Sequence, residues 1–168
     1  FHQDITSENV EGLKKGSYDL IFGSYSASEP NIEFVPIIQQ EIVAILPTVH
    51  PLCHKEALSA KDFADCPVLG YARHSGLGKY TRSFFKKHDV SPNFICESPD
   101  ENGIASLVAH GFGIALVADV DTIYRDDICI RPLVSNESFS HTVYMGYIRG
   151  KYQLPAVQRF IEFVKQGG

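Results

Sequence analysis

Leu107-Val-Ala-His-Gly-Phe-Gly-Ile-Ala-Leu-Val117 decides the fold class of this 168-residue chain. A helix end, a Gly-x-Gly turn and a buried strand follow one another in it without a spare residue. Upstream, Ser98-Pro-Asp-Glu101 forms a capping box: Ser98 accepts from a backbone N–H, Pro99 suits the first helical position, and Glu101 reaches back. Ile104, Leu107 and Val108 make an apolar stripe at helical spacing, and Gly111 supplies the left-handed residue that ends a helix. Ile114 to Val117 is a short apolar run of the kind buried on both faces of a parallel sheet.

The same alternation continues in both directions. Thr6 or Ser7 is expected to cap a helix carrying Val10 and Leu13 and closed by Gly16, ahead of a strand over residues 18–22. Residues 32–38 and 41–46 predict two strands separated by the polar pair Gln39-Gln40. A helical turn or two over 59–65 precedes a strand over 67–71, then a helix over 76–88 with Tyr80 and Phe84 on one face. Strands are expected over 93–97, 128–134 and 142–148. A final helix from Pro155 carries Val157, Phe160, Ile161 and Val164 in an i, i+3, i+4, i+7 stripe. Strands alternating with helices predict an α/β fold with mainly parallel sheets. The chain opens on a strand remnant, Phe1-His2-Gln3, leading straight into a helix, where a doubly wound domain begins with a complete strand–helix unit. It therefore reads either as a domain entered after its first unit or as a small domain with an unusual start.

Charged residues make up 21% and hydrophobic ones 44%, the balance of an ordinary globular protein. The formal net charge is −5, with no run of Lys and Arg, so this polypeptide alone is a poor nucleic-acid binder. No apolar stretch has the length of a membrane span, and no charged leader precedes a hydrophobic segment. Cys53, Cys66, Cys96 and Cys129 are widely spread without a C-x-x-C pair, which favours free thiols in a reducing cytoplasm.

Four constellations invite chemistry, and each has a simpler structural account. Gly76-Leu-Gly78-Lys79-Tyr-Thr81 looks like part of a P-loop, but Arg73 stands where the first Gly belongs and Tyr80 where Ser or Thr must hold Mg²⁺. A helix N-terminus at this point still offers N–H groups to an organic anion, with Arg73 and Lys79 nearby in sequence. His110-Gly-Phe-Gly113 lacks the G-x-S-x-G elbow that an esterase needs, and helix capping explains its glycines. His50, Cys53 and His54 could ligate a metal, yet no second well-spaced pair completes a zinc set, and a turn on His50-Pro51 suffices. Glu97, Asp100 and Glu101 cluster where a helix dipole favours carboxylates. No nucleophile or acid/base pair, cofactor or metal site emerges, so an enzyme is not expected.

Taken together, these motifs resemble the effector-binding domain of LysR-type transcriptional regulators over essentially the whole length. Leu13-Lys-Lys-Gly16-Ser-Tyr-Asp19-Leu-Ile resembles the family's "L..G.lDlai" element. Pro36 to Ile45, Pro47 and His50-Pro-Leu52 resemble "pL..e.lvlvlp..HPL", and Asp62-Phe-Ala-Asp-Cys-Pro67 resembles "dLad.p". The Gly111 segment resembles "lVaaGlGial" at the expected distance, and Arg131-Pro-Leu133 resembles the "v.PL" before the return strand.

The resemblance implies a periplasmic-binding-protein-like (type II) fold: two α/β subdomains joined by two crossover strands. The first would comprise residues 1–42 and 145–168, lacking its first strand–helix unit, and the second residues 43–144. It also implies an effector cleft between them. Thr6 and Ser7 before the first helix and Gly23 and Ser24 after its strand would face that cleft on one side. Tyr71, His74, Ser75, Gly76 and Leu77 would face it on the other, with Phe112 of the Gly-x-Gly turn. Ser75 is expected to offer a free hydroxyl, so that Ser75→Ala would weaken effector binding and barely move the melting temperature. The implied function is effector sensing in a cytoplasmic transcription regulator. Its partners would be a small-molecule effector, further copies in a dimer or tetramer, and DNA through an absent N-terminal winged helix-turn-helix, with no membrane. A free-standing solute-binding protein of similar fold is the alternative.

Overall fold

The computed structural model describes residues 6–166. The strand expected over Phe1 to Gln3 lies outside them. The chain divides into two compact units, the first formed by Phe1–Gln39 with Thr142–Gly168 and the second by Gln40–His141. The chain passes from one to the other within two strands, β2 (Ile32–Pro47) and β7 (Ser140–Ile148). The boundaries expected after residues 42 and 144 lie three residues further along.

Unit 1 opens with α1 (Thr6–Lys14), which ends at Gly16 with a φ of +76° and is followed by β1 (Ile21–Gly23). Its strand order is β1-β7-β2, with β1 antiparallel to β7 and Ile21 opposite Gly146. Val10 and Leu13 of α1 pack on Ile21 and Ile32 over one face. On the other, Val157, Ile161 and Val164 of α4 (Pro155–Lys165) cover Met145 and Tyr147. Each such buried aliphatic or aromatic side chain contributes about 1.5–3 kcal/mol through apolar transfer.

Unit 2 contains β3 (Pro67–Tyr71), α2 (Gly76–Lys87), β4 (Asn93–Ser98), α3 (Glu101–Ala109), β5 (Ile114–Ala118) and β6 (Ile128–Arg131). Its strand order is β6-β2-β5-β3-β4. The side-chain period of two divides the core. Ile42, Ala44 and Leu46 join Ile114 and Leu116 beneath Phe84 and Phe85 of α2. Val43 and Ile45 join Ala115 and Val117 beneath Ile104, Ala105 and Val108 of α3. Burial on both faces explains why these strands are continuous apolar runs.

Several expectations need correction. The β5–β3 and β3–β4 pairs are parallel, while β1–β7, β2–β5 and β2–β6 pair antiparallel. The two strands expected around Gln39-Gln40 are one 16-residue strand, because polar side chains do not interrupt a backbone that is crossing between units. The strand expected over 18–22 is only Ile21–Gly23, since Ser17 and Tyr18 N–H are spent on the Gly12 carbonyl in closing α1. β6 stops at Arg131, ahead of Pro132, which has no N–H for a ladder.

The start of α3 also shifts. Asp100 is the N-cap, its carboxylate accepting from Gly103 N–H at 2.8 Å, while Ser98 still belongs to β4 and its carbonyl accepts from Ala72 N–H. At the other end the expectation holds. Gly111 has a φ of +78° and donates to Val108, and Phe112 donates to Leu107, the two bonds of a Schellman cap.

Candidate functional site

The candidate residues form one patch in each unit, and two of them belong to neither. In unit 2 the patch is the turn from β3 into α2. Ser75 N–H donates to the Ala72 carbonyl at 2.9 Å, and its hydroxyl accepts from Gly78 N–H at 2.9 Å, making Ser75 the N-cap of α2. Ser75 is buried at 8% exposure, so the hydroxyl is part of the structure of the turn. Its O–H proton is not consumed by the cap and can still donate. The expectation of a negligible stability effect for Ser75→Ala is therefore corrected: the cap is worth about 1 kcal/mol.

Gly78 explains the tightness of this turn. A Cβ there would lie 2.1 Å from the Ala72 carbonyl oxygen, so only glycine lets the helix start press against the strand end. It cannot wrap a phosphate in that position, which removes the P-loop reading. Gly76 and Leu77, the first two helical residues, have no intrahelical acceptor for their N–H groups. Both are half-buried, and His74 beside them is exposed. The patch thus presents two N–H donors, a hydroxyl and the positive end of a helix dipole.

Arg82 holds this turn in place, a role its sequence position does not reveal. Its guanidinium donates to the Tyr71 carbonyl at 3.1 Å and to the Gly78 carbonyl at 3.3 Å, and pairs with Glu97 at 2.7 Å. It also stacks over the Phe94 ring, 4.3 Å from the centroid. Glu97 in turn accepts from Arg73 N–H at 2.9 Å. The acidic cluster is divided accordingly: Glu97 braces the turn, Asp100 caps α3, and Glu101 accepts from Tyr71.

Tyr71 is a positioning residue. Its side chain is 1% exposed; the hydroxyl donates to Glu101 at 2.8 Å and accepts from Ala118 N–H at 2.9 Å. Burial pushes the phenol well above its ordinary range, and the Glu101 carboxylate adds to that rise. Phe112 sits elsewhere. Val68 of β3 pairs with Ile114 in parallel, and a Cβ on Gly113 would meet the Pro67 carbonyl at 2.5 Å. Phe112 therefore lies at the beginning of β3, roughly 13 Å of strand from Tyr71 at its end. A Gly-x-Gly turn that opens a parallel strand cannot share an edge with the loop that leaves its neighbour.

In unit 1, Thr6, Gly23 and Ser24 come together. Thr6 Oγ1 accepts from Ser24 N–H at 3.2 Å, and a Cβ on Gly23 would fall 2.8 Å from the same oxygen. Thr6 is thus the first residue of α1 and ties it to the end of β1, while Ser7 is exposed. Beside them the rings of Tyr25, Phe34 and Tyr144 touch, with centroids 5.3, 5.7 and 6.3 Å apart. Tyr144 is the ladder partner of Gly23, so this aromatic surface belongs to the same end of the strand. Sequence reasoning missed it because Phe34 and Tyr144 lie 110 residues apart.

The cysteines and histidines near residue 50 serve the fold. His50 Nδ1 accepts from Leu52 N–H at 3.2 Å and caps a short 3-10 turn over Pro51–His54. Cys53 donates to the Pro47 carbonyl at 3.2 Å, and burial together with the Cys129 thiol pushes its pKa up to about 11. All four cysteines are free thiols. Among the described residues no group of three or more His, Cys, Asp or Glu is placed to hold a metal, and no helix is long and apolar enough to cross a membrane.

Comparison with known proteins agrees with this architecture. The family model of the LysR substrate binding domain matches residues 1–168. Among curated relatives, the Hca operon transcriptional activator HcaR of Escherichia coli (strain K12) is 22% identical over 96% of this chain and 55% of its own length. The HTH-type regulator Cbl of Klebsiella aerogenes is 26% identical over 96% of this chain and 52% of its own. The chain spans about half the length of the curated relatives it matches. Among solved structures, the effector-binding domain of QuiR in complex with shikimate superposes with a TM-score of 0.94 at 25% identity, covering 100% of this chain and 80% of that one. The regulatory domain of Synechocystis PCC6803 CcmR in complex with 2-PG gives 0.85 at 19% identity, covering 96% and 79%. The chain belongs to the LysR substrate-binding domain family and has its type II periplasmic-binding-protein-like fold.

Proposed function

We propose that this chain senses a small organic anion on behalf of a bacterial LysR-type transcription regulator. The observation that carries the reading is the start of α2. The N–H groups of Gly76 and Leu77 lack helical acceptors, and the Ser75 hydroxyl keeps its proton, at the carboxyl ends of parallel β3 and β4. Ligands of open α/β sheets bind at such strand ends. His74, Ser75, Gly76 and Leu77 are the proposed contacts of unit 2; Thr6, Ser7, Gly23 and Ser24 are the candidate polar patch of unit 1, taken by itself. Tyr71 is left out because both bonding directions of its hydroxyl are used, and Phe112 because it lies at the other end of the strands. Shikimate and 2-PG in related domains support a small-molecule effector. In the longer regulator, cytoplasmic and assembled as a dimer or tetramer, effector occupancy would bias DNA binding by a winged helix-turn-helix. Family membership favours this over a free-standing solute-binding protein.

The test compares Ser75→Asn with Ser75→Asp. Both side chains cap a helix as well as serine does, so both variants should melt close to the parent. A thermal-shift screen of small carboxylates supplies the ligand, and calorimetry measures it. Ser75→Asp should abolish binding by placing like charge at the anion, while Ser75→Asn should retain it within about tenfold. Equal affinity in the two variants would put the anion elsewhere.

A further inference from the structure

Unit 1 contains a concavity of about 470 Å³ on the edge away from Gly23. It is lined by the end of α1 and by Ile148, the last residue of β7. Because β7 runs antiparallel to β1, with Gly23 opposite Tyr144 and Ile21 opposite Gly146, Ile148 lies beyond the beginning of β1. Thr6, Gly23 and Ser24 sit at the opposite ends of the same elements. The two places are therefore separate.

Four cations surround this concavity: Lys14 at the end of α1, Lys15 in the turn that follows it, and Arg149 and Lys151 from the turn after β7. One carboxylate, Glu29, faces them. Such a local excess of positive charge stands out in a chain whose formal net charge is −5. Lys14 is paired, to Glu11 at 3.1 Å and Glu29 at 3.4 Å. Lys15, Arg149 and Lys151 make no close ion pair among the described residues, although Arg149 lies within electrostatic range of Glu33, whose carboxyl it helps to hold down. The floor is apolar, formed by Leu13, Ile32 and Ile148.

A helix C-terminus attracts lysines without any ligand. That account covers little here. The closing carbonyls of α1 already accept backbone N–H groups, Lys15 to Glu11, Gly16 to Leu13 and Ser17 to Gly12. Arg149 and Lys151 come from another element, and their turn is built to stay where it is. Arg149 N–H donates to the Asn31 carbonyl at 2.8 Å, and Gly150 takes a φ of +71°. Cations gathered around one hollow repel each other, and an anion of several charges relieves that repulsion.

We propose that this concavity is a second ligand site that takes a small organic polyanion, a phosphorylated or polycarboxylate metabolite. Arg149 supplies a planar fork that matches phosphate or carboxylate, and the lysines supply point charges. A compact open hollow with an apolar floor fits a small molecule better than a duplex backbone, which needs an extended basic stripe. The site does not depend on the effector reading of the other patch.

The experiment is calorimetric titration of the whole chain at low salt with two probes, pyrophosphate and citrate. One equivalent of at least one probe should bind. Which of the two binds more tightly distinguishes a phosphate from a carboxylate ligand. Arg149→Ala and Lys15→Ala should each weaken binding about tenfold or more. Lys87→Ala, an exposed lysine at the end of α2, should leave it unchanged. Both pocket residues are exposed, and unchanged circular dichroism melts confirm that the variants fold. Absence of heat with both probes would overturn the site. So would weak binding at several sites that Lys87→Ala reduces equally, or duplex DNA binding that is lost in the same pocket variants.

Discussion

Ser75 and Gly78 together set the geometry of the unit 2 patch, and each tests a different force. Ser75→Ala removes the acceptor for Gly78 N–H and should lower stability by about 1 kcal/mol, read from the urea midpoint at constant slope. A change near zero would mean that water replaces the cap. Gly78→Ala is the harsher substitution, although alanine is the better helix former. The new methyl would meet a backbone carbonyl at 2.1 Å, and backbone cannot move aside as a side chain does. Overpacking of this kind costs about 1–3 kcal/mol, so Gly78→Ala should destabilise by more than Ser75→Ala. Serine before a glycine-rich helix start is visible in the sequence. The need for glycine at 78 is not, because it depends on where the Ala72 carbonyl lies.

At the scale of elements, one hydroxyl joins three of them. Tyr71 ends β3, donates to Glu101 in the first turn of α3, and accepts from Ala118 N–H at the end of β5. Tyr71→Phe keeps the packing but leaves a buried N–H without a partner, which costs about 1–3 kcal/mol. Chemical denaturation should show that loss, and hydrogen exchange should show faster exchange at Ala118 N–H. Exchange as slow as in the parent would remove Tyr71 from this role. The faces of β2 and β5 were legible beforehand, since a run of alternating inward contacts must be apolar throughout. The α3 cap lies two residues beyond the Ser98 that local spacing favours. Ser98 and Asp100 both offer a capping oxygen, and the choice falls to Asp100 because the β3–β4 ladder claims Ser98. Whether a strand runs on is decided by its neighbour's hydrogen bonds, which local spacing does not record.

Across the whole molecule, the ordered motifs sufficed for the fold, whereas each patch is assembled by residues far apart in sequence, as Arg82 with Glu97 and Tyr144 with Gly23 show. The response to acid follows from such tertiary placement. Burial lowers the pKa of His50, whose Nδ1 can accept from Leu52 N–H only while unprotonated. Burial also lowers that of His141, against a smaller opposing pull from Glu101. Both folded values lie below the unfolded value of about 6.5. Between the two values the unfolded chain binds more protons, so stability is fully present above pH of about 6.5 and is lost as pH falls through the folded values. Asp62 acts in a lower window. Its burial penalty is outweighed by Lys55 and by the Ser59 N–H and hydroxyl, so its carboxyl is depressed and its stabilisation persists until pH falls below about 4. General charge repulsion predicts the opposite trend between neutral pH and 5.8, because the net charge approaches zero near that sequence pI. A melting temperature that falls from pH of about 7 to about 5 would therefore report the histidines. His50→Asn retains a capping oxygen and His141→Gln a neutral polar group, so the double variant should lose that fall across the interval. If the double variant keeps the parental slope, other groups carry the acid sensitivity.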